Sequence, residues 1–234
     1  MKNRVTKRRA DLLKKIEKNR DYSIKESINL LSSLKSLKFD ETVEIALRLN
    51  LDPRHADQMI RSSVILPHGI GKKIIVAALV KDDKIDDAKE AGADIIGNID
   101  LIDSIKEGKI NFDTLITTPD MMGVLGKVAR ILGPKGLMPN PKVGTITTNI
   151  AKTVKEAKSG KVNFKIDKKG NIHAGIGKIS FTSDKLIDNF KTFVNKIIKL
   201  KPATAKGKYI LNTTVSLTMS PGISINISEI LKLK

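Results

Sequence analysis

The sequence predicts a mixed α/β protein of two domains, a two-layer α+β domain assembled from both chain ends and an α/β domain with a small parallel sheet inserted between them. Three observations predict it. Residues 73–117 alternate short apolar runs with charged helical stretches, the rhythm of strands joined by helices into parallel pairs. The flanks instead carry strands of period two beside longer helical stretches, the mark of an antiparallel sheet covered on one face. Charge divides the chain at the same places. Residues 68–159 hold 14 Lys/Arg against 12 Asp/Glu, so of the chain's 43 and 25 the flanks hold 29 and 13, a net of +16 out of +18. A near-neutral insert between two halves of one cationic domain would explain this, with boundaries at residues 1–67 and 160–234 for the outer domain and 68–159 for the insert; the plainer alternative is two flanking regions that never meet.

Taken in order, residues 11–19 and 23–34 read as helices, the second with Ile24, Ile28, Leu31 and Leu34 near helical spacing. In ETVEIALRLN, residues 41–50, Val43, Ile45, Leu47 and Leu49 share one face of a half-buried strand. A strand over residues 61–66 leads to Gly69 and Gly71. The apolar run KIIVAALV, residues 73–80, is a buried strand, followed by a helix at 83–91, a strand at 93–97, a helix at 100–107 and a strand at 112–117. Pro119 suits the first turn of a helix over 120–132, where Asp120 complements the helix dipole. Ser159 and Gly160 mark the return crossing. Strands at 161–166, 172–175, 209–217 and 223–227, with a helix at 183–200, complete the outer domain. Two short crossings at one place predict a hinge at Gly69, Gly71, Ser159 and Gly160, because glycine tolerates backbone changes that other residues resist.

Composition narrows the function. A net charge of +18 attracts polyanions before any specific contact forms, so nucleic acid is the expected partner. No apolar span is present to make it a membrane protein, and residues 1–20 lack the apolar stretch of a signal peptide. Cysteine is absent, which fits a reducing compartment and removes thiolate metal sites and cysteine nucleophiles; the expected location is the cytoplasm. Aromatics are 3% of the chain and Trp is missing, which argues against stacking unpaired bases on an aromatic platform.

Catalysis finds no anchor. GVLGKV from Gly123 and GIGKK from Gly69 lack the lysine-hydroxyl pair of a phosphate-binding loop, and no G-x-G-x-x-G turn occurs. His55, His68 and His173 lie apart, without partners at metal-ligand spacing. No cofactor, metal or small-molecule substrate is expected, and the chain reads as a non-enzyme. Residues 118–148, TPDMMGVLGKVARILGPKGLMPNPKVGTITT, form the densest signal. Prolines and glycines shape this loop, and Lys127, Arg130, Lys135 and Lys142 suit a secondary contact with RNA.

That stretch resembles the central motif of the bacterial large-subunit ribosomal protein L-one family, the protein of the mobile stalk beside the tRNA exit site. A basic N-terminus, FDETVEIALRLNLDPRHADQMIR from Phe39, LPHGIGK from Leu66 and LTMSPGISIN from Leu217 agree in order along essentially the whole chain. The resemblance implies an rRNA-binding domain formed by both chain ends and an inserted Rossmann-like three-layer α/β domain. It implies a structural protein of the large subunit, monomeric when free and ribosome-associated in the cytoplasm, that assists release of deacylated tRNA and represses translation of its own messenger RNA. It places the rRNA contacts at Phe39, Thr42, Lys165, Asp167, Lys168, His173, Thr218, Met219, Ser220 and Pro221. Ser220 stands where the family's TMGP has glycine; were φ positive there, a serine would be strained. Chemically, Thr42, Thr218 and Ser220 can meet ribose hydroxyls, and Lys165 and Lys168 can meet phosphates. Asp167 would either accept from a ribose hydroxyl or a base amino group or serve only as a turn residue. Phe39 and Met219 read as packing residues more than as stacking platforms.

Overall fold

The computed structural model describes residues 6–17, 20–35 and 37–232. It is a mixed α/β protein whose chain divides into two compact units, residues 1–71 with 162–234 (unit 1) and residues 72–161 (unit 2).

Unit 1 begins with helix α1 (Lys7–Lys14), where the Thr6 hydroxyl accepts from the Arg9 amide. This cap starts the helix earlier than the expected 11–19; Lys18 and Asn19 lie outside the described residues. Helix α2 (Ile24–Leu34) opens on a reciprocal cap, in which Ser23 Oγ accepts from the Glu26 amide and the Glu26 carboxylate accepts from the Ser23 amide. Ile24, Ile28, Leu31 and Leu34 form its buried side. Strand β1 (Thr42–Leu49) buries Val43, Ile45, Leu47 and Leu49 while Glu44 and Arg48 stay exposed. Strand β2 (Arg61–Ile65) follows.

Unit 2 runs β3 (Val76–Leu79), α3 (Ile85–Glu90), β4 (Ile95–Gly97), α4 (Ile99–Lys106), β5 (Thr114–Thr117), α5 (Met122–Leu125), α6 (Ala129–Leu132) and α7 (Ile150–Lys158). Its three strands are parallel in the order β4-β3-β5. Alternate residues of β3 serve two cores. Ala77 and Leu79 pack with Leu101, Ile102 and Ile105 of α4 and with Leu125, whereas Val76 and Ala78 pack with Ala88 of α3 and with Ile150 and Val154 of α7. Helices therefore cover both faces, which explains why β3 is apolar throughout rather than alternating. The helix expected over 120–132 is instead two short helices separated by a 3-10 turn at Gly126–Val128, since Gly123 and Gly126 disfavour a continuous helix. Helix α7 has no counterpart among the elements expected from sequence. Asn149 caps it by accepting from the Lys152 amide, and Ile150, Thr153, Val154 and Ala157 make its buried side.

The chain returns through β6 (Lys161–Lys165), β7 (Asn171–Lys178), α8 (Ser183–Lys199), β8 (Ile210–Leu217), β9 (Ile223–Ser224) and α9 (Ile227–Leu231). Strands β7, β1, β8 and β9 form an antiparallel sheet in that order, with Ile45 opposite Ala174 on one side and Val215 on the other; β2 pairs with β6. The strand expected over 223–227 stops early, because Asn226 accepts from the Ser228 amide and starts α9. The inner sheet residues share one core with α2 and α8. Phe190 and Phe193 of α8 are fully buried, each stabilising the unit by about 2–3 kcal/mol relative to exposure. Phe193 meets Phe164 edge-to-face with ring centroids 5.3 Å apart.

One buried polar residue of α8 ties down the end of the first segment. Asn189 donates to the carbonyls of Gly69 and Ile176 at 3.0 and 2.7 Å and accepts from the His68 amide at 3.1 Å. Beyond Gly71, Lys72 belongs to unit 2, where its ammonium lies 2.6 Å from the Asp113 carboxylate.

Candidate nucleic-acid interface

With helices on one face of the unit 1 sheet, the strand pleat turns every other residue to the opposite face. From β1 these are Thr42, Glu44, Ala46 and Arg48; His173 and Thr214 lie opposite Ala46, and Asn171 and Asn212 opposite Arg48. The face is polar and at least partly exposed along its length, so it is a hydrogen-bonding surface rather than a second core. Arg48 forms no ion pair among the described residues and supplies a free cation near one end of the face. The sequence reading did not single out Arg48, Asn171, Asn212 or Thr214, although the same alternation that located Val43 and Ile45 assigns them to the outer face.

Thr42 is held for donation. Its hydroxyl accepts from the Lys178 ammonium at 2.8 Å, leaving its own proton available to an acceptor outside the protein. Lys178 also reaches the Asp40 carbonyl, and the Asp40 carboxylate accepts from the Ser180 hydroxyl and amide. Phe39, just before this knot, is 50% exposed.

Beyond β8 the chain turns sharply. The Thr218 amide donates to the Thr42 carbonyl and the Thr42 amide to Thr218 Oγ, joining the start of β1 to the end of β8. Ser220 closes the turn: its amide donates to the Leu217 carbonyl, its hydroxyl accepts from the Leu217 amide at 2.9 Å, and the same hydroxyl donates to the Pro221 carbonyl. A glycine could not make the two side-chain bonds. Met219 projects from this turn at 52% exposure, and Arg8 of α1 reaches its carbonyl at 3.5 Å. Phe39 and Met219 therefore both stand outside the core.

A second turn joins β6 to β7. Asp167 organises it, one carboxylate oxygen accepting from the amides of Lys169 and Asn171 and the other from the Asn171 side chain. These bonds, the Asn171 amide foremost, hold the carboxyl below the usual carboxylate range. Asp167 thus builds the turn. The bridge between Ile166 and Ile172 buries both isoleucines and leaves Lys165 and His173 exposed on either side, with His173 Nε2 3.9 Å from Asp167. Lys165 and Lys168 are exposed and form no ion pair among the described residues.

Eight of the ten expected contact residues thus fall in three places of unit 1: Thr42 and His173 on the sheet face, Thr218, Met219, Ser220 and Pro221 in the turn after β8 at the Thr42 end of β1, and Asp167 and Lys168 in the turn before β7 at its opposite end. Lys165 and Phe39 flank them. Lys127, Arg130, Lys135 and Lys142 lie in unit 2, all exposed and without ion pairs among the described residues. Gly69, Gly71 and Gly160 have positive φ, whereas Ser159 closes α7 with its amide bonded to Lys155. Among the described residues no cluster of three metal-ligating side chains occurs, and no helix is long and apolar enough to cross a membrane.

The outer sheet face offers hydroxyls, amides and unpaired cations in an arrangement suited to a folded polyanion rather than to a small molecule. Comparison with known families agrees: the model of the ribosomal protein L1p/L10e family matches residues 30–221, a span that includes part of each segment of unit 1 and all of unit 2. Membership implies a structural role in the ribosome and binding to rRNA, in a family that is not one of enzymes. On this match, the chain belongs to the ribosomal protein L1p/L10e family.

Proposed function

We propose that this protein is a structural component of the large ribosomal subunit, that unit 1 grips one folded element of large-subunit rRNA through the outer sheet face and its two turns, and that unit 2 is the moving part of a stalk that assists release of deacylated tRNA from the exit site. The observation that carries the reading is that one sheet face lacking the apolar cover of the inner one runs from Thr42 and the turn at residues 218–221 at one end, past His173, to the turn that holds Lys168 at the other. In this arrangement Thr42 donates to a ribose hydroxyl or phosphate oxygen, Lys165, Lys168 and Arg48 meet phosphates, and Ser220 and Asp167 hold the turns in shape.

The movement rests on the first chain crossing. Gly69 is fastened to unit 1 by Asn189, and Lys72 to unit 2 by Asp113, so rotation concentrates between these two anchors. The exposed, unpaired Lys127, Arg130, Lys135 and Lys142 form the secondary RNA contact, with exit-site tRNA as partner. The free protein, a cytoplasmic monomer, also represses its own messenger RNA through the same face of unit 1.

Chemical footprinting of large-subunit rRNA with the purified full chain tests the main reading. Protection confined to one helical junction, surviving at about 0.2 M salt, is expected. Diffuse protection that vanishes with salt would leave only a charge-driven nucleic-acid binder. Spin labels placed one on each unit test the movement, which requires a broad distance distribution in the free protein.

A further inference from the structure

A carboxylate lies buried directly behind the turn that follows β8. Glu41 is 1% exposed, yet it is an acid next to a surface proposed to meet phosphates. Its Oε2 accepts from the Met219 amide at 3.1 Å, while its Oε1 is buried with no hydrogen-bond partner among the described residues. For stability alone this is a poor choice. A buried carboxylate loses its hydration, and one hydrogen bond does not replace it; a packed apolar side chain of similar size would serve the core better. The benefit must lie in what the bond holds.

It holds the tip of the turn. Within residues 217–220 the amides of Leu217, Thr218 and Ser220 are satisfied by Ser220 Oγ, the Thr42 carbonyl and the Leu217 carbonyl, and the amide at the apex is satisfied by Glu41. The backbone of Glu41 is itself anchored, its carbonyl accepting from the Ile179 amide after β7. One residue therefore links the end of β7, the start of β1 and the turn after β8. We infer that Glu41 is a positioning residue for RNA recognition: its buried carboxylate fastens the Met219 amide and so presets Thr218, Met219 and Ser220 in their binding geometry, at a cost to the stability of unit 1. This inference rests on the reading of unit 1 as the rRNA grip.

The test compares Glu41→Gln and Glu41→Met in the full chain. Glutamine keeps an acceptor for the Met219 amide, and methionine fills the space without one. Three quantities are read: exchange protection of the Met219 amide, the thermal midpoint, and affinity for protein-free large-subunit rRNA across a salt series. Glu41→Met should lose the protection, keep or raise the midpoint, and bind about tenfold more weakly, the value of one charge-assisted bond, with an unchanged salt slope because no phosphate contact is removed. Glu41→Gln should keep the protection and stay within about threefold of the parent, since its acceptor is neutral but in place. Glu41→Met binding as well as the parent overturns the inference, as does Glu41→Gln failing as badly as Glu41→Met, or an affinity loss that only follows a lowered midpoint. If the parent protein does not prefer rRNA to an unrelated folded RNA, the rRNA reading itself fails and the inference falls with it, a result visible before any variant is made.

Discussion

Replacing Asn189 by leucine would remove three hydrogen bonds from the point where the first segment leaves unit 1. The two side chains are close in size, so packing changes little, and the cost is set by the groups left behind: the carbonyls of Gly69 and Ile176 and the amide of His68. An orphaned buried group costs about 1–3 kcal/mol. The bond to Ile176, at 2.7 Å, is fully buried and should incur the whole penalty, whereas the other two are part-buried and water can replace some of what they lose. The expected sum is about 2–4 kcal/mol, or a fall of roughly 5–15 °C in the midpoint of unit 1. Urea and thermal unfolding followed by circular dichroism measure it, with two transitions resolved if the units unfold separately. Only the unit 1 transition should move, and amide exchange at residues 68–71 should speed up. A loss under about 1 kcal/mol would refute the argument, because it would mean that these backbone groups find other partners at no cost.

Three further outcomes are expected. Changing Lys165 and Lys168 together to glutamine should weaken rRNA binding and reduce the slope of log affinity against log salt by about 1.4–1.8, roughly 0.7–0.9 for each phosphate that is no longer neutralised, as read from a salt titration. Asp167→Asn tests the turn before β7 by pH. The folded carboxyl titrates below its unfolded value because the Asn171 amide bonds to its charged form, so its stabilisation is complete above the ordinary carboxylate pKa and disappears as pH falls through the depressed one. The substituted protein should therefore be the less stable near neutrality and draw level with the parent in acid, as acid-to-neutral unfolding curves would show. Removing residues 72–161 and rejoining the ends through a short linker should leave a folded unit 1 that still selects its rRNA, because the core of α2, α8 and the large sheet contains no residue of unit 2. A folded product without selectivity, measured by competition against unrelated RNA, would place the recognition elsewhere.

Local pattern carried much of this architecture. The alternation of Val43, Ile45, Leu47 and Leu49 identifies both β1 and its buried face, and the near-neutral charge of the middle residues separates two regions that hydropathy alone does not distinguish. Where local signals are weak or opposed, sequence and structure part. Helix α7 is short, and only Asn149 and the spacing of Ile150, Val154 and Ala157 contain its signal. Gly123 and Gly126 lie within a stretch whose apolar spacing suits one helix, while the folded chain divides it.

The candidate site divides in the same way. Residue type alone indicates that Lys165 and Lys168 can meet phosphates and that Thr42 can donate, since a side chain's chemistry belongs to it in any fold. The partners were beyond reach of the sequence: Lys178 set against Thr42 from 136 residues away, Met219 fastened to Glu41 from 178 away, and Gly69 held by Asn189. What the amino-acid order determined by itself was periodicity, charge and the residue types available for binding, because these depend on near neighbours and composition. Which groups meet, which of them are consumed in holding turns and which remain free for RNA was decided only when the chain closed on itself, because hydrogen bonds between distant residues exist in the tertiary structure and nowhere earlier.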